Sequence, residues 1–248
     1  MGEDKKFENR NNKIIKQMNQ DKKFLKLAKR WLLQSLKHEY SYHFRWVGLP
    51  IIQYPQDIIA TQEIIWKVKP DLIIETGIAR GGSLIFSASI LEMIGKGSVL
   101  GIDIDIRKHN KMAIKKHHLS KRITMIQGSS IDHKVVNKVK AIAKTKKRIM
   151  LFLDSNHTHE HVLKELELYS SLVKKGSYVI VFDTIIEDIP NNWWGKNISS
   201  RPWNKKNNPK SAVKEFLLKN NRFKIDQTIE DKILLTAASK GYLKCTKN

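Results

Sequence analysis

Cysteine is almost absent from this chain, since only Cys245 occurs among 248 residues. A single cysteine excludes an intrachain disulfide and is typical of proteins in a reducing compartment. Long apolar runs are also missing. No stretch approaches the roughly 20 apolar residues of a membrane span, and no early segment has the features of a signal peptide. We therefore expect a soluble, cytoplasmic protein without a transmembrane segment.

Acidic residues are scarce relative to basic ones. The chain has 24 Asp and Glu against 46 Lys and Arg, which gives a formal net charge of +22 at pH 7. Such an excess raises the question of binding to nucleic acid or to anionic membranes. The lysines are scattered through every segment, however, without an RNP-like aromatic strand, a zinc knuckle or an arginine-rich arm. We therefore prefer a general lysine bias to nucleic-acid binding, which stays an alternative.

A glycine-rich loop follows a predicted buried strand at residues 72–74 and precedes an apolar run with helical spacing at residues 84–94. Glycine permits a positive φ and a close approach of a ligand to the backbone, and the free amides at a helix start favour an anionic or polar ligand. The loop, ETGIARGGS, begins at Glu75 and ends at Ser83. We interpret it as a nucleotide-binding loop, with a helix-capping turn as the alternative.

The spacing of the glycines excludes two common nucleotide motifs. A dinucleotide fingerprint requires G-x-G-x-x-G, whereas Gly77, Gly81 and Gly82 give G-x-x-x-G-G. A phosphate-binding P-loop requires a lysine after its last glycine, where this chain has Ser83. With the acidic Glu75 two residues before the first glycine, the pattern resembles the first motif of S-adenosylmethionine-dependent methyltransferases.

Acidic residues end three of the other predicted strands. Residues 98–102 run into Asp103, with Asp105 two positions later, and an acid at this point can accept both hydroxyls of a ribose. Alternation cannot fully separate the two, and we favour Asp103 because it ends the apolar run. The runs at 149–153 and 177–182 end in Asp154 and Asp183. Because open α/β sheets bind ligands at the carboxyl ends of their strands, these two carboxylates are predicted to meet at one edge.

The ends of the chain add a helical extension and a closing strand pair. Residues 1–12 are polar and are predicted to fray, whereas residues 14–36 form an amphipathic basic helix. We prefer that this helix packs on its own domain or on a partner subunit rather than on a membrane. Strands are predicted at residues 222–225 and 232–237. We divide the chain into an N-terminal helical extension and loop, 1–57, and an α/β domain, 58–248.

Several segments together carry a resemblance that no one motif carries. ETGIARGGS, GIDID, QGSS, LFLDSNHTHEH, VIVFDT and NNPKSAVKEFL are similar to the cephalosporin hydroxylase-like family, a branch of the class I S-adenosylmethionine-dependent methyltransferases related to rhamnosyl O-methyltransferases. The resemblance runs roughly from Tyr42 to Ala237. It implies a Rossmann-like α/β fold with a mostly parallel seven-stranded sheet and helices on both faces. It further implies S-adenosylmethionine, magnesium and a homo-oligomer.

Carried over by position, the resemblance implies a role for individual residues. The methionine part of the cofactor would be held by Glu75, Gly77, Gly81, Gly82 and Ser83. Asp103 would hold the ribose, and Ser130 would lie on the adenine side. Asp154 and Asp183 fall at metal-ligand positions.

The third metal ligand departs from the family pattern. Catechol-type enzymes have Asn where this chain has Thr184, and nearer relatives can have an acid where it has Phe182. Because magnesium commonly keeps several waters, two carboxylates can suffice. His157 stands where catechol-type enzymes place a catalytic lysine, and a histidine suits proton abstraction near neutral pH.

The predicted activity is methyl transfer to a hydroxyl of a small molecule or saccharide, with Asp154 and His157 as catalytic residues. The alternative for His157 is a structural hydrogen bond, which we prefer outright for His159 and His161. A metal-dependent oxygenase is disfavoured because neither His-x-Asp nor His-x-Glu occurs. An RNA methyltransferase drawn by the basic charge is the other alternative. An aperiodic loop with three tryptophans is predicted to shape the acceptor pocket: Trp193, Trp194 and Trp203.

Overall fold

A mostly parallel sheet of seven strands forms the centre of this computed structural model, which describes residues 2–190 and 201–248. The strands are β1 (Arg45–Trp46), β2 (Leu49–Pro50), β3 (Leu72–Thr76), β4 (Ser98–Asp103), β5 (Ile123–Gln127), β6 (Ile149–Leu153), β7 (Tyr178–Val181), β8 (Phe223–Ile225) and β9 (Tyr242–Cys245). The helices are α1 (Glu3–Gln20), α2 (Lys22–Leu36), α3 (Pro55–Val68), α4 (Gly82–Ile94), α5 (Lys108–Lys116), α6 (His133–Ala143), α7 (His159–Tyr169), α8 (Pro209–Lys219) and α9 (Gln227–Ile233).

The strand order in the sheet is β5-β4-β3-β6-β7-β9-β8. The five strands from β5 to β7 are parallel, and β9 pairs antiparallel with both β7 and β8. The two central strands, β3 and β6, are buried at every position, as expected for parallel strands covered on both faces. β1 and β2 form a separate antiparallel pair. This arrangement confirms the predicted Rossmann-like methyltransferase fold.

Two apolar cores cover the two faces of the sheet. One contains the buried sides of α3 and α4, with Ile114 of α5, and the other contains those of α6, α7 and α8. Each pair of parallel strands is joined by a crossover connection that packs on a face of the sheet, so all five parallel strands run in the same direction. The carboxyl ends of β3, β4, β6 and β7 therefore open on one side, where the candidate site lies. Within the described residues, no helix combines the length and the apolar character needed to cross a bilayer.

The predicted strand at residues 232–237 is wrong. α9 ends at Ile233, residues 234–237 form neither helix nor strand, and the partner of β8 is β9, later in the sequence. The apolar residues of α9 are spaced for a helix, since Ile229 and Ile233 lie four positions apart and both pack against the core beside α3. The predicted closing antiparallel pair exists, but its second strand lies closer to the C-terminus.

The N-terminal extension also differs from its prediction. Residues expected to fray belong to α1, and the single predicted helix is divided at Asp21. The Asp21 carboxylate accepts hydrogen bonds from the backbone N–H groups of Lys23 and Phe24, at 3.0 and 2.9 Å, and so caps α2. The domain division at residue 57 stays a prediction.

Candidate active site

The glycine loop between β3 and α4 is held tightly by its neighbours. Gly77 has a φ of +90°, and a Cβ built on it would lie 2.1 Å from the carbonyl oxygen of Asp154. Gly82 begins α4, and a Cβ there would lie 2.1 Å from the carbonyl oxygen of Pro50. Gly81 adopts a φ of +84° just before the helix. The predicted requirement for glycine thus has a physical reason at each position, because side chains would collide with backbone or force a strained φ.

Glu75 lies beneath this loop and is almost fully buried, with 2% of its surface exposed. Its Oε1 accepts a hydrogen bond from the Ser83 hydroxyl, whereas Oε2 is buried and has no hydrogen-bond partner among the described residues. Burial raises the pKa of Glu75 to about 7, and the bond from Ser83 partly offsets this increase. An unpaired buried carboxylate oxygen is costly, so this position is suited to a cationic or hydrogen-donating ligand.

Asp103 and Asp105 have different surroundings. Oδ2 of Asp103 accepts hydrogen bonds from the backbone N–H groups of Ile78 and Ala79, at 2.8 and 3.3 Å. Asp105 lies outside β4 and points into solvent, where its side chain is 70% exposed near Arg107. Of the two acids, Asp103 is therefore the one that faces the glycine loop, which is compatible with the choice of Asp103 over Asp105 for the ribose. Its contact with a ribose stays a prediction.

Ser130 belongs to a buried hydrogen-bond network at the carboxyl ends of β5 and β6. Its hydroxyl donates to Oε1 of Glu165 at 2.5 Å and lies 3.0 Å from Nε2 of His161. Ser155, next to Asp154, donates to the same Glu165 oxygen at 2.8 Å. The Ser130 side chain is therefore engaged within the protein, and its adenine role stays a prediction. The sequence analysis missed Glu165, although an acid on the apolar face of α7 was a visible signal.

Asp154, His157 and Asp183 converge at the carboxyl ends of β6 and β7. One ligand atom from each lies within 4.8 Å of the others, and all three side chains are half-buried. His157 Nε2 lies 3.1 Å from Oδ2 of Asp183. Removal from water raises the pKa of Asp154 well above its usual value, and the negative charge of Asp183 raises it further. A cation between the two carboxylates would relieve this repulsion.

The residues at the two positions that depart from the family's ligand pattern, Thr184 and Phe182, do not supply a third metal ligand. Thr184 is fully buried and its hydroxyl faces the carbonyl oxygen of Ala237, while Phe182 packs edge-to-face on Phe152. His157 takes the third place in the cluster instead. Gln53, which the sequence analysis did not identify, donates from Nε2 to Oδ2 of Asp154 at 3.1 Å.

A small cavity of about 20 Å³ lies inward from Asp154, between α3, α4 and the sheet. Its wall contains three carboxyl groups, those of Asp57, Glu75 and Asp154, and no lysine or arginine among the described residues lines it. Burial raises the pKa of Asp57 to about 6, although hydrogen bonds from Thr236, Tyr242 and the backbone of Ala237 oppose the shift. The interior of the site therefore favours positive charge, in contrast to the basic surface of the molecule.

An aromatic side chain closes the outer side of the cluster. The rings of His157 and Trp203 meet edge-to-face, with centroids 4.9 Å apart, and the Arg201 guanidinium lies 5.0 Å from the Trp203 ring centroid. Trp203 thus lies beside the candidate ligands, whereas the other two predicted pocket residues, Trp193 and Trp194, fall outside the described residues.

The other histidines of the HTHEH segment take different partners. His159 lies 2.8 Å from the Ser211 hydroxyl and 3.0 Å from Glu215, and so joins α7 to α8. His161 faces Glu165. The three histidines of this segment therefore have separate partners, and only His157 belongs to the cluster with Asp154 and Asp183.

Comparisons with known proteins agree with this geometry. The profile of the family described as rhamnosyl O-methyltransferase/CmcI matches residues 38–246. Rhamnosyl O-methyltransferases of Mycobacterium tuberculosis (strain ATCC 25618 / H37Rv) and Mycobacterium leprae (strain TN) are 28% identical over 147 residues, which is 58% of this chain. The matched segment spans 58% of the length of the first relative and 62% of the second.

Solved structures share the fold. A CmcI structure with magnesium and S-adenosylmethionine superposes with a TM-score of 0.55 at 18% identity, covering 83% of this chain and 77% of that one. A putative caffeoyl-CoA O-methyltransferase from Staphylococcus aureus gives 0.51 at 15% identity, covering 87% and 91%. With most of the chain matched by the family profile, the protein belongs to the rhamnosyl O-methyltransferase/CmcI family.

Proposed function

We propose that this protein is an S-adenosylmethionine-dependent O-methyltransferase that acts on a hydroxyl of a small molecule or saccharide. The observation that carries the proposal is the convergence of Asp154, His157 and Asp183 within 4.8 Å, at the sheet edge that also holds the glycine loop. The names of the related rhamnosyl O-methyltransferases support methyl transfer to a sugar hydroxyl.

The residues present fit the cofactor. The glycine loop leaves no room for side chains at Gly77 and Gly82, Oε2 of Glu75 is unpaired, and Asp103 lies at the tip of β4. The carboxyl groups of Glu75 and Asp154 beside the loop favour the positive charges of the cofactor's sulfonium and ammonium groups. We assign the methionine part to Glu75 and Ser83 with the loop backbone, and the ribose to Asp103.

The residues present also fit a divalent cation, which we propose to be magnesium. Asp154 and Asp183 offer the carboxylate oxygens that magnesium prefers, and no lysine or arginine pairs with either carboxylate in the part of the chain that the structure describes. When bound, such an ion acts as a Lewis acid that lowers the pKa of an acceptor hydroxyl.

The chain's own residues supply orientation and proton transfer. His157 Nε2 lies 3.1 Å from Oδ2 of Asp183. With the carboxylate on that side, the proton of the neutral imidazole would sit on Nε2, and Nδ1 would take the proton of the acceptor hydroxyl. Trp203 packs against the imidazole and limits its rotation, and its ring offers an apolar face to a sugar. Alignment of the hydroxyl oxygen with the donor methyl provides much of the remaining acceleration.

The activity is tested by transfer of labelled methyl from S-adenosylmethionine to a panel of sugars, nucleotide sugars and diols, with and without magnesium. We expect product with at least one saccharide, and none after Asp154→Asn. Normal turnover by Asp154→Asn in the presence of a chelator would remove the metal from the mechanism. Absence of cofactor binding by calorimetry would overturn the proposal as a whole.

The base is tested with His157→Gln, using His159→Gln as the matched control. We expect His157→Gln to lower kcat about 100-fold or more, with magnesium affinity nearly unchanged. A loss of magnesium affinity with kcat retained at saturating magnesium would make His157 a metal ligand rather than the base.

A further inference from the structure

Helix α2 presents an apolar surface that the proposed function does not use. Phe24, Leu27 and Trp31 are 41%, 62% and 41% exposed, and their spacing of three and four residues places them on one side of the helix. We name these three residues the α2 stripe. The neighbouring side of α2 packs against the domain through Leu32 and Ser35, both buried. The domain thus covers one side of the helix and leaves the stripe open to solvent.

The charged residues within helix α2 are all of one sign. Helix α2 contains five basic residues and no acidic residue between Lys22 and Leu36. Lys23 and Arg30 lie four residues before and three residues after Leu27, so both flank it on the helix surface. Across residues 2–190 and 201–248, neither of these two side chains has a hydrogen bond or an ion pair. Their charge is available to an anionic partner.

We propose that the α2 stripe docks on an anionic lipid surface. Peripheral helices of this kind place Phe, Leu and Trp at the boundary between headgroups and acyl chains, while lysine and arginine attract anionic headgroups. Each basic residue near such a surface adds to the attraction, and the net charge of +22 draws the whole molecule in the same direction. The inference rests on α2 alone and not on the proposed enzymatic function.

A second copy of the chain is the less suitable occupant. A symmetric contact between two α2 stripes would bring Lys23 and Arg30 of both copies to one interface, between two molecules that each carry +22. Like charges at an interface oppose association, whereas a lipid surface offers the opposite charge and an apolar interior together. The charge pattern therefore favours the lipid.

Docking through α2 would place the lipid close to the candidate active site. The Trp31 ring meets Tyr40 edge-to-face at 5.2 Å, and Tyr40 in turn lies 5.9 Å from the ring of Tyr54, which is buried beside α3. Tyr42, two residues beyond Tyr40, is 55% exposed. The α2 stripe is therefore continuous with the aromatic segment that leads toward the site.

The test is co-sedimentation of the full chain with two kinds of vesicle: phosphatidylcholine alone, and equal parts of phosphatidylcholine and phosphatidylglycerol. The variant is Leu27→Glu. The matched control is Leu218→Glu on α8, where the leucine is 87% exposed and the charge change is the same. We expect wild type to bind the anionic vesicles. Leu27→Glu should reduce the partition coefficient about tenfold or more, and Leu218→Glu should change it less than about twofold.

Two further measurements separate the alternatives. The double variant Lys23→Gln/Arg30→Gln keeps the apolar residues, and we expect it to weaken binding to the anionic vesicles and to make binding less sensitive to salt. Sedimentation velocity reports oligomeric state, and circular dichroism reports folding. Equal binding of Leu27→Glu and Leu218→Glu would overturn the proposal. So would an oligomer that dissociates in Leu27→Glu with no change in vesicle binding, since a second copy would then occupy the stripe.

Discussion

Asp103 is the residue whose surroundings differ most from what its sequence position alone indicates. The chain leaves β4 at Asp103, so the alternation that made Asp103 and Asp105 equivalent on the sequence does not continue. Oδ1 of Asp103 accepts from the backbone N–H of Asp105 at 3.0 Å, and Oδ2 accepts from the glycine loop. One carboxylate therefore braces the loop and faces the proposed ribose position.

This difference gives a paired prediction at the residue scale. We expect Asp103→Asn to weaken S-adenosylmethionine binding about 10- to 100-fold, because charge-assisted hydrogen bonds to the loop and the ribose are lost. Asp105→Asn, with its exposed carboxylate, should change affinity less than about twofold. Isothermal calorimetry measures both. Equal losses for the two variants would remove Asp103 from the ribose site.

At the scale of elements, the start of α4 depends on the end of β2. Gly82 lies in the first turn of the helix. Within a helix, alanine normally makes the helical state about 1 kcal/mol more stable than glycine does. Here the Cβ would press on the backbone of Pro50 and Ile51. We expect Gly82→Ala to lower the free energy of unfolding by about 2 kcal/mol or more in denaturant unfolding, opposite in sign to helix propensity. A stabilised variant would show that the segment moves freely.

The contact between α3 and the C-terminal segment predicts a pH dependence. Asp57 on α3 accepts from Tyr242 at 2.6 Å, from Thr236 at 2.5 Å and from the backbone of Ala237 at 2.8 Å. Burial raises its pKa to about 6 from an ordinary value of 3.8. Between these two values the folded state binds more protons than the unfolded state, so the contribution of Asp57 to stability falls as pH rises from about 4 to about 6.

Asp57→Asn removes this contribution. We expect the variant to be less stable overall, because the amide nitrogen that replaces one carboxylate oxygen is a donor and cannot accept a hydrogen bond. Its free energy of unfolding should also fall less between about pH 4 and pH 6, with an upper limit of about 3 kcal/mol for the difference. Urea unfolding of the cofactor-free protein at several pH values measures both effects. The exposed Asp105→Asn variant is the control, and an unchanged slope in Asp57→Asn would contradict the assignment.

At the scale of the whole molecule, ligand binding couples to stability. We expect S-adenosylmethionine at 100 times its Kd to add about 2.7 kcal/mol to the free energy of unfolding, which corresponds to a rise in Tm of about 5–10 °C for a chain of this size. Differential scanning fluorimetry across cofactor concentrations measures this shift. At the same cofactor concentration, Asp103→Asn should show a smaller rise. No shift in the wild type at any concentration would contradict cofactor binding.

The net charge of +22 is a further property of the whole molecule. The preference against nucleic acid as a partner stays a prediction, as do a homo-oligomer and a cytoplasmic location. The charge of the molecule differs between its whole and the site. The chain has a net charge of +22, whereas the cavity beside Asp154 has acidic walls. A basic exterior and an acidic interior are compatible with an anionic surface outside and a cationic cofactor inside.

The sequence alone determined the alternation of strands and helices from β3 to β7 and the polar residues at the ends of these strands. Buried parallel strands such as β6 are continuous apolar runs, and their ends are marked by the acids that follow, Asp154 and Asp183. The glycine spacing likewise identified the loop. These signals are local, because each depends on residues that are neighbours along the chain.

Only the tertiary structure decided which distant residues meet. Gln53 reaches Asp154, Asp57 meets Tyr242, and His157 rather than Thr184 completes the carboxylate cluster. The same applies to α9, which is a helix because its apolar residues pack on the core beside α3. Such contacts join residues far apart in sequence, and side-chain direction at a strand end depends on the turn that follows. For this reason composition and periodicity do not contain them.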